Sequence, residues 1–396
     1  MSATIPIVIA SAVRTPIGRY LGGLSSLPAA ALGEAAVSGA LMRAGVPAED
    51  VDFLIYGHGR QAGQKPNPAR QVQIRAGIPQ EAAAMTLNMA CASGLKSLQC
   101  AADEIRLGRA KIVVAGGMES MSNAPYMLER MRTGYRLGDG KIIDLMYRDG
   151  FLCPVSNMIM GETAELLAQE RNISREQQDA FALGSQNKAE AAIEAGRFDC
   201  ELVPVTVPGR KGDVVIEADE HPRPGSTMEK LAKLAPVFDR EKGTVSAGNS
   251  SGITDGAAAM VVMSADEAER RGITPLAVLL DTHAVGTDPK RMGLGPVPAT
   301  QQLLAKHGWT LDDFGLFELN EAFAAQVLAC LQELPIPTEL LNVNGGSIAL
   351  GHPIGCTGAR FVVTLLHEMR RRQVDRGLAT LCVSGGLGMT AAFELC

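Results

Sequence analysis

Short runs rich in β-branched residues recur along the chain, each followed by a longer Ala-rich stretch whose apolar positions fall three and four apart. Residues 5–10, 53–56, 111–115 and 260–263 read as strands, and their alternation with helical patterns predicts an α/β protein. A charged helix at 265–271 stops at Gly272-Ile-Thr-Pro275 and a fresh strand begins at 276–280, which sets a boundary between two halves, 1–271 and 272–396.

The second half echoes the first. Residues 41–56 hold a helix end, Gly45, an acidic pair and a strand; residues 304–319 hold Gly308, Asp312 and Asp313, and the strand 316–319. Further on, 112–118 matches 381–387, setting Val113 against Cys382. Between these blocks, residues 120–244 lose the strand–helix alternation and carry long polar helices such as 175–197. That segment reads as an insertion, a common place for a ligand-binding lid.

With 46% apolar and 20% charged residues, the 396-residue chain can build two cores. It has no apolar stretch of the ~20 residues that span a bilayer, and no membrane association is expected. Its start lacks the pattern of a signal peptide, and its end is neither a peroxisomal tripeptide nor a prenylation box, so the expected location is cytoplasmic. Eight cysteines without a Cys-x-x-Cys pair fit a reducing compartment and no metal site. A net charge of −6 and 4% aromatic residues speak against nucleic-acid binding.

Four motifs carry candidate chemistry. Asn88-Met-Ala-Cys91-Ala-Ser-Gly94 precedes a helix with Leu95, Leu98, Ala102 and Ile105 at helical spacing, which puts Cys91 at a helix N-terminus, where a thiolate is favoured and the thiol pKa is expected below ~8.5. The plainer reading is a buried free cysteine. Near the C-terminus, Asn344-Gly-Gly-Ser-Ile-Ala-Leu-Gly-His352-Pro-Ile-Gly-Cys-Thr-Gly358 sets one histidine in a glycine-dense turn entering a second helix. Leu381-Cys382-Val-Ser384-Gly-Gly-Leu-Gly388 places a cysteine at a strand end before a loop with the composition of an oxyanion hole, although a cysteine there could equally fill the space that Val113 fills in the first half. Asn320-Glu-Ala-Phe-Ala324 supplies an amide at the C-terminal edge of a strand, the usual mouth of an α/β site, unless it is a turn asparagine.

Together and in this order, the four motifs resemble the thiolase family over the whole chain. The resemblance implies a duplicated five-layer αβαβα core with an inserted loop domain, and an acyl-CoA C-acetyltransferase that condenses acetyl-CoA with an acyl-CoA or cleaves 3-ketoacyl-CoA. It assigns Cys91 as acyl-accepting nucleophile, His352 as its base, Cys382 as second acid/base, Asn320 as holder of a catalytic water, and the backbone of Cys91 and Ser384 as oxyanion donors. Arg223 would meet the nucleotide end of CoA, Ser251 and Ala247 the pantetheine arm, and Met160, Phe238, Met292 and Phe323 the tunnel wall. CoA and acetyl-CoA would act as cosubstrates without a tightly bound cofactor, and a homodimer or homotetramer in lipid metabolism is implied. The competing reading is a non-catalytic thiolase-like protein that binds acyl-CoA or lipid.

The chain also departs from the family pattern. Ser384 stands where a glycine is usual, which would strain the loop if that position needs positive φ. Ile159 replaces a histidine usual in short-chain enzymes, leaving a more apolar acyl pocket that suits a longer acyl group, and Cys356 replaces a small residue near His352.

Overall fold

The computed structural model describes residues 5–396. The strands that build the core are β1 (Ile7–Arg14), β2 (Phe53–Gly57), β3 (Ala83–Leu87), β4 (Ile112–Ser120), β5 (Thr254–Ser264), β6 (Ala277–Gly286), β7 (Leu316–Leu319), β8 (Arg376–Val383) and β9 (Leu387–Leu395). They form one continuous sheet in the order β7-β8-β9-β6-β1-β5-β4-β2-β3, folded at its middle, with parallel pairs only at its two ends. Helices α1 (Ala29–Ala44), α2 (Ser93–Arg106), α3 (Met160–Glu170), α4 (Arg175–Glu194), α5 (Pro296–His307), α6 (Ala324–Leu331) and α7 (Ile354–Arg372) cover it.

Strand periodicity explains the layering. On β1, Ile7, Ile9 and Ala12 point into an inner core shared with α2 and α7, while Val8, Ala10 and Val13 point to an outer core under α1. In the second half the outer face, through Phe317, Leu319, Leu378 and Ala392, packs under α5 with Leu303 and Leu304. Outer helix, sheet, paired central helices, sheet and outer helix make the five layers.

Duplication is written in the register. β1 and β6 pair as Ile7–Leu279, Val8–Val278 and Ile9–Ala277, so a two-fold rotation carries Ile7 onto Ala277 and Ile9 onto Leu279. Both strands slip register at the equivalent residue, Ala10 against β5 and Leu280 against β9. Followed outward through β5 and β9, the same rotation places Val113 on Gly377 and Phe53 on Leu316. The repeat between 41–56 and 304–319 therefore holds residue for residue, whereas the one between 112–118 and 381–387 does not. Cys382 is the counterpart of Met118, so Val113 says nothing about its role. The misleading feature is a Gly-Gly pair used for two purposes. Gly116 and Gly117 lie inside β4, where an added Cβ would clash with the carbonyls of Ala258 and Gly355; Gly385 and Gly386 form a turn at φ +89° and +85°.

Strands expected at 5–10, 111–115 and 260–263 run several residues longer because whole segments are buried on both faces, so no alternation marks their ends. The helix 265–271 appears as Ala265–Arg271, closed by Gly272 at φ +66°. Between β4 and β5 the chain leaves the sheet and lays α3 and α4 against the second half, Phe181 of α4 touching its outer core. Among the described residues no helix is long and apolar enough to cross a membrane.

Candidate active site

The turn that carries Cys91 is built by local hydrogen bonds. After β3, Asn88 accepts the N–H of Ala90 at 2.8 Å through Oδ1 and donates to the Gly59 carbonyl at 3.2 Å. Ser93 accepts the N–H of Met89 at 2.9 Å and donates to the carbonyl of Ala90 at 2.7 Å. Between them Ala90 is held at φ +45°, a conformation that costs a non-glycine residue ~1–3 kcal/mol and persists only when its surroundings over-determine it. Cys91 follows in a tight turn, Ala90–Ala92, immediately before α2.

His352 sits between the short helix Ser347–Leu350 and α7, with Gly351 at φ +102° on one side and Pro353 on the other. Its Nε2 lies 3.3 Å from Cys91 Sγ, and its Nδ1 lies 2.7 Å from Thr357 Oγ1. The threonine hydroxyl gives its single hydrogen to the Pro353 carbonyl at 3.0 Å. It must therefore accept from Nδ1–H, which leaves the Nε2 lone pair facing the thiol. Thr357 carries no sequence signal of its own; only the helix turn that brings it under the imidazole reveals its part.

Burial pushes the His352 imidazole down to about 3, with Arg360 and Arg60 acting in the same direction. Burial also raises the Cys91 thiol, against opposing contributions from Arg60 and the Ser384 N–H. The expectation of a lowered thiol is not met: desolvation outweighs the Arg60 charge and the backbone N–H groups that favour the thiolate. The resting pair is neutral thiol and neutral imidazole, an arrangement in which Nε2 could take the thiol proton.

Cys382 is the penultimate residue of β8, packed with Met292 and Ala322 and against Met160 and Phe323. Burial and the neighbouring Cys91 push its thiol well above the ordinary range. In the following turn positive φ falls on Gly385 and Gly386 and not on Ser384, so the serine is accommodated without strain, and its N–H counters the rise of the Cys91 thiol. Cys356, also buried and raised to about 12, lies within α7.

A cavity of about 470 Å³ joins these groups. Of the sequence candidates it is lined by Cys91, His352, Cys382, Ser384, Arg223, Ala247, Ser251, Met160, Phe238, Met292 and Phe323. Phe238 and Phe323 meet edge to face at 6.4 Å, and Phe238 packs so closely on Gly161 that an added Cβ would clash with its ring. Asn320 lies behind the wall, just after β7. Its Oδ1 accepts from Ser347 Oγ at 2.6 Å, while its Nδ2 is buried with no hydrogen-bond partner among the described residues, the kind of donor a bound water satisfies. Sequence reasoning missed Arg60 and Phe151, which line the same space from segments without a recognisable motif, and Ile354, which stands two residues after His352.

Two family descriptions cover the chain: Thiolase, N-terminal domain over residues 7–266 and Thiolase, C-terminal domain over residues 273–395. The chain is 51% identical to the acetyl-CoA acetyltransferase of Cupriavidus necator over 98% of its own length and 99% of that protein, and 50% identical to that of Escherichia coli over 98% of each. In structure it is similar to the Bacillus anthracis acetyl-CoA acetyltransferase, with a TM-score of 0.98 and 44% identity over 100% of both chains. It is also similar to human mitochondrial 3-ketoacyl-CoA thiolase in complex with CoA, with a TM-score of 0.95 and 40% identity over 99% of this chain and 98% of that one.

Proposed function

The chain belongs to the thiolase family, and from that premise we propose that it is an acyl-CoA C-acetyltransferase whose acyl group is carried on Cys91. The observation that carries the mechanism is the contact of 3.3 Å between His352 Nε2 and Cys91 Sγ, with Thr357 holding the imidazole in the tautomer a base requires. His352 takes the thiol proton as Cys91 attacks the acyl-CoA carbonyl, and the N–H groups of Cys91 and Ser384 hold the developing oxyanion. CoA departs as a thiolate and takes up the proton of Cys382, which leaves Cys382 as the thiolate base, while His352 keeps the proton of Cys91 until condensation releases that sulfur. Cys382 then removes a methyl proton from acetyl-CoA, with the enolate oxygen held by His352 and a water on Asn320, and the enolate attacks the acyl-cysteine. In reverse, Cys382 protonates the leaving enolate and free CoA resolves the acyl-enzyme. A non-catalytic acyl-CoA binder would have no use for a base oriented on one thiol beside a second thiol.

CoA and acetyl-CoA enter this scheme as cosubstrates, with Arg223 toward the phosphates and Ser251 and Ala247 along the pantetheine arm. We assign the halves to 1–271 and 272–396, with the insertion at about 120–244, and place the protein in the cytoplasm. A homodimer or homotetramer is proposed, since β3 ends the sheet with exposed Ala83 and Met85 and an unpaired edge invites a second copy. Light scattering should return a mass of at least two chains; a monomer mass would count against that assembly.

Ile159 lines the cavity where the resemblance places a histidine, and each further CH₂ buried there would stabilise the complex by ~0.8 kcal/mol. Thiolysis of 3-ketohexanoyl-CoA should therefore proceed with kcat/KM at least comparable to that of acetoacetyl-CoA. A steep fall from the four-carbon to the six-carbon substrate would mean that Met160, Met292 and Phe323 close the pocket. Failure to cleave either substrate while acetyl-CoA still binds would favour the non-catalytic reading.

A further inference from the structure

One cation in the cavity has no part in the acyl-transfer mechanism. Arg60 follows β2 and lies over the backbone of Gly150, where an added Cβ would come within 2.8 Å of its Nε and 3.0 Å of its Cζ. It is half-buried, unlike Arg19 and Arg223, which line the cavity from more exposed positions suited to CoA phosphates. It lines the cavity together with Cys91 and His352, and its charge acts on both.

The guanidinium acts on the buried Glu119 carboxylate only at a distance. The main-chain N–H of Arg60 reaches Glu119 Oε1 at 3.0 Å, and that carboxylate also accepts the N–H groups of Gly59 at 3.0 Å and Gly355 at 2.8 Å. Among the described residues the Arg60 side chain makes no hydrogen bond and no ion pair, and its Nε is closed off from solvent. The same cavity is lined by the apolar Met121, Phe151, Ile159 and Ile354, and Arg60 shares a neighbouring one with Asp149. An unpaired cation in such surroundings is costly, and a guanidinium fork is best satisfied by a carboxylate taken bidentately.

Resting on the thiolase reading, we propose that Arg60 selects acyl groups that end in a carboxylate, so that the substrate class is the CoA thioester of a dicarboxylic acid. In the cleavage direction Cys91 Sγ adds to C3 of the 3-ketoacyl-CoA and its proton passes to His352. The C2–C3 bond breaks, and the released acetyl-CoA enolate takes its proton from Cys382. The acyl group left on Cys91 carries its carboxylate to Arg60. Free CoA gives its thiol proton to Cys382 and its sulfur attacks the acyl carbon, so that Cys91 departs and recovers its own proton from His352. The products are acetyl-CoA and a CoA thioester with a free terminal carboxylate.

The deciding experiment compares thiolysis of 3-ketoadipyl-CoA with that of 3-ketohexanoyl-CoA, which match in carbon count and differ by a carboxylate for a methyl. In the wild type kcat/KM should favour the diacid by about tenfold or more. Arg60→Leu should lower that ratio at least ~10-fold, and Arg60→Lys, which keeps the charge without the fork, should fall between. Both rates are measured on one preparation, so loss of folded protein cancels from the ratio. A wild-type ratio at or below one, or a ratio unmoved by Arg60→Leu, overturns the proposal. Equal losses on both substrates would make Arg60 an electrostatic aid to the thiol and likewise overturn it. Absence of cleavage of these two and of acetoacetyl-CoA as well would instead remove the thiolase reading beneath it.

Discussion

Incubation with acetyl-CoA should load one acetyl group per chain, and peptide mapping should place it on Cys91. The structure supports this site over the other thiols because Cys91 alone faces an imidazole lone pair, at 3.3 Å, in a cavity open to substrate. Cys356 and Cys330 are buried with thiols raised to about 12, and Cys382, though it lines the cavity, has no base in hydrogen-bond contact among the described residues. Cys91→Ala should take up no acetyl group and lose turnover by at least ~10⁴-fold, since no other group can carry the acyl intermediate. Intact mass before and after the incubation decides the matter. An unmodified wild type, or an adduct that persists in Cys91→Ala, would sink the acyl-cysteine mechanism and favour a protein that binds acyl-CoA without turning it over.

Replacing the second thiol should split the reaction in two. Cys382→Ala is expected to acquire the acetyl group within a few-fold of the wild-type rate yet lose condensation, and exchange of the acetyl-CoA methyl protons, by ~10²–10⁴-fold, the range spanned by removal of a positioned acid or base. Its buried, raised thiol suits the second half-reaction, because once deprotonated it is a strong base, which a methyl next to a thioester demands. Methyl-proton exchange in deuterated water isolates the step from acylation. Condensation at the wild-type rate in Cys382→Ala would reduce Cys382 to a packing residue beside Met292 and Ala322.

How much of this was legible in the chain follows from how each feature is encoded. The α/β class, the α2 helix with Leu95, Leu98, Ala102 and Ile105 buried, and the Gly272 stop rest on local periodicity and local φ preference, which a single sequence displays. Motif spacing picked out Cys91, His352, Cys382 and Asn320, because turns that expose a reactive group need small and glycine residues around it. Local reading failed where one composition serves two conformations. The two Gly-Gly pairs look alike but one lies inside a strand and the other in a positive-φ turn, and their false alignment hid the true counterpart of Cys382.

By itself, then, the sequence determined the elements and the duplicated plan and singled out four candidate groups, since these depend on what each residue does to its own stretch of backbone. Tertiary structure alone decided what those groups can do. Cys91 and His352 are 261 residues apart, and only the packing of α2 against α7 in the shared inner core brings them together. Burial, which no residue carries in its own identity, set the neutral thiol–imidazole pair against the Arg60 charge and the backbone N–H groups that favour the thiolate, because desolvation depends on everything that surrounds a charge. The same closure left Arg60 inside the cavity without a partner among the described residues, a consequence of the shape of the site and not of any motif.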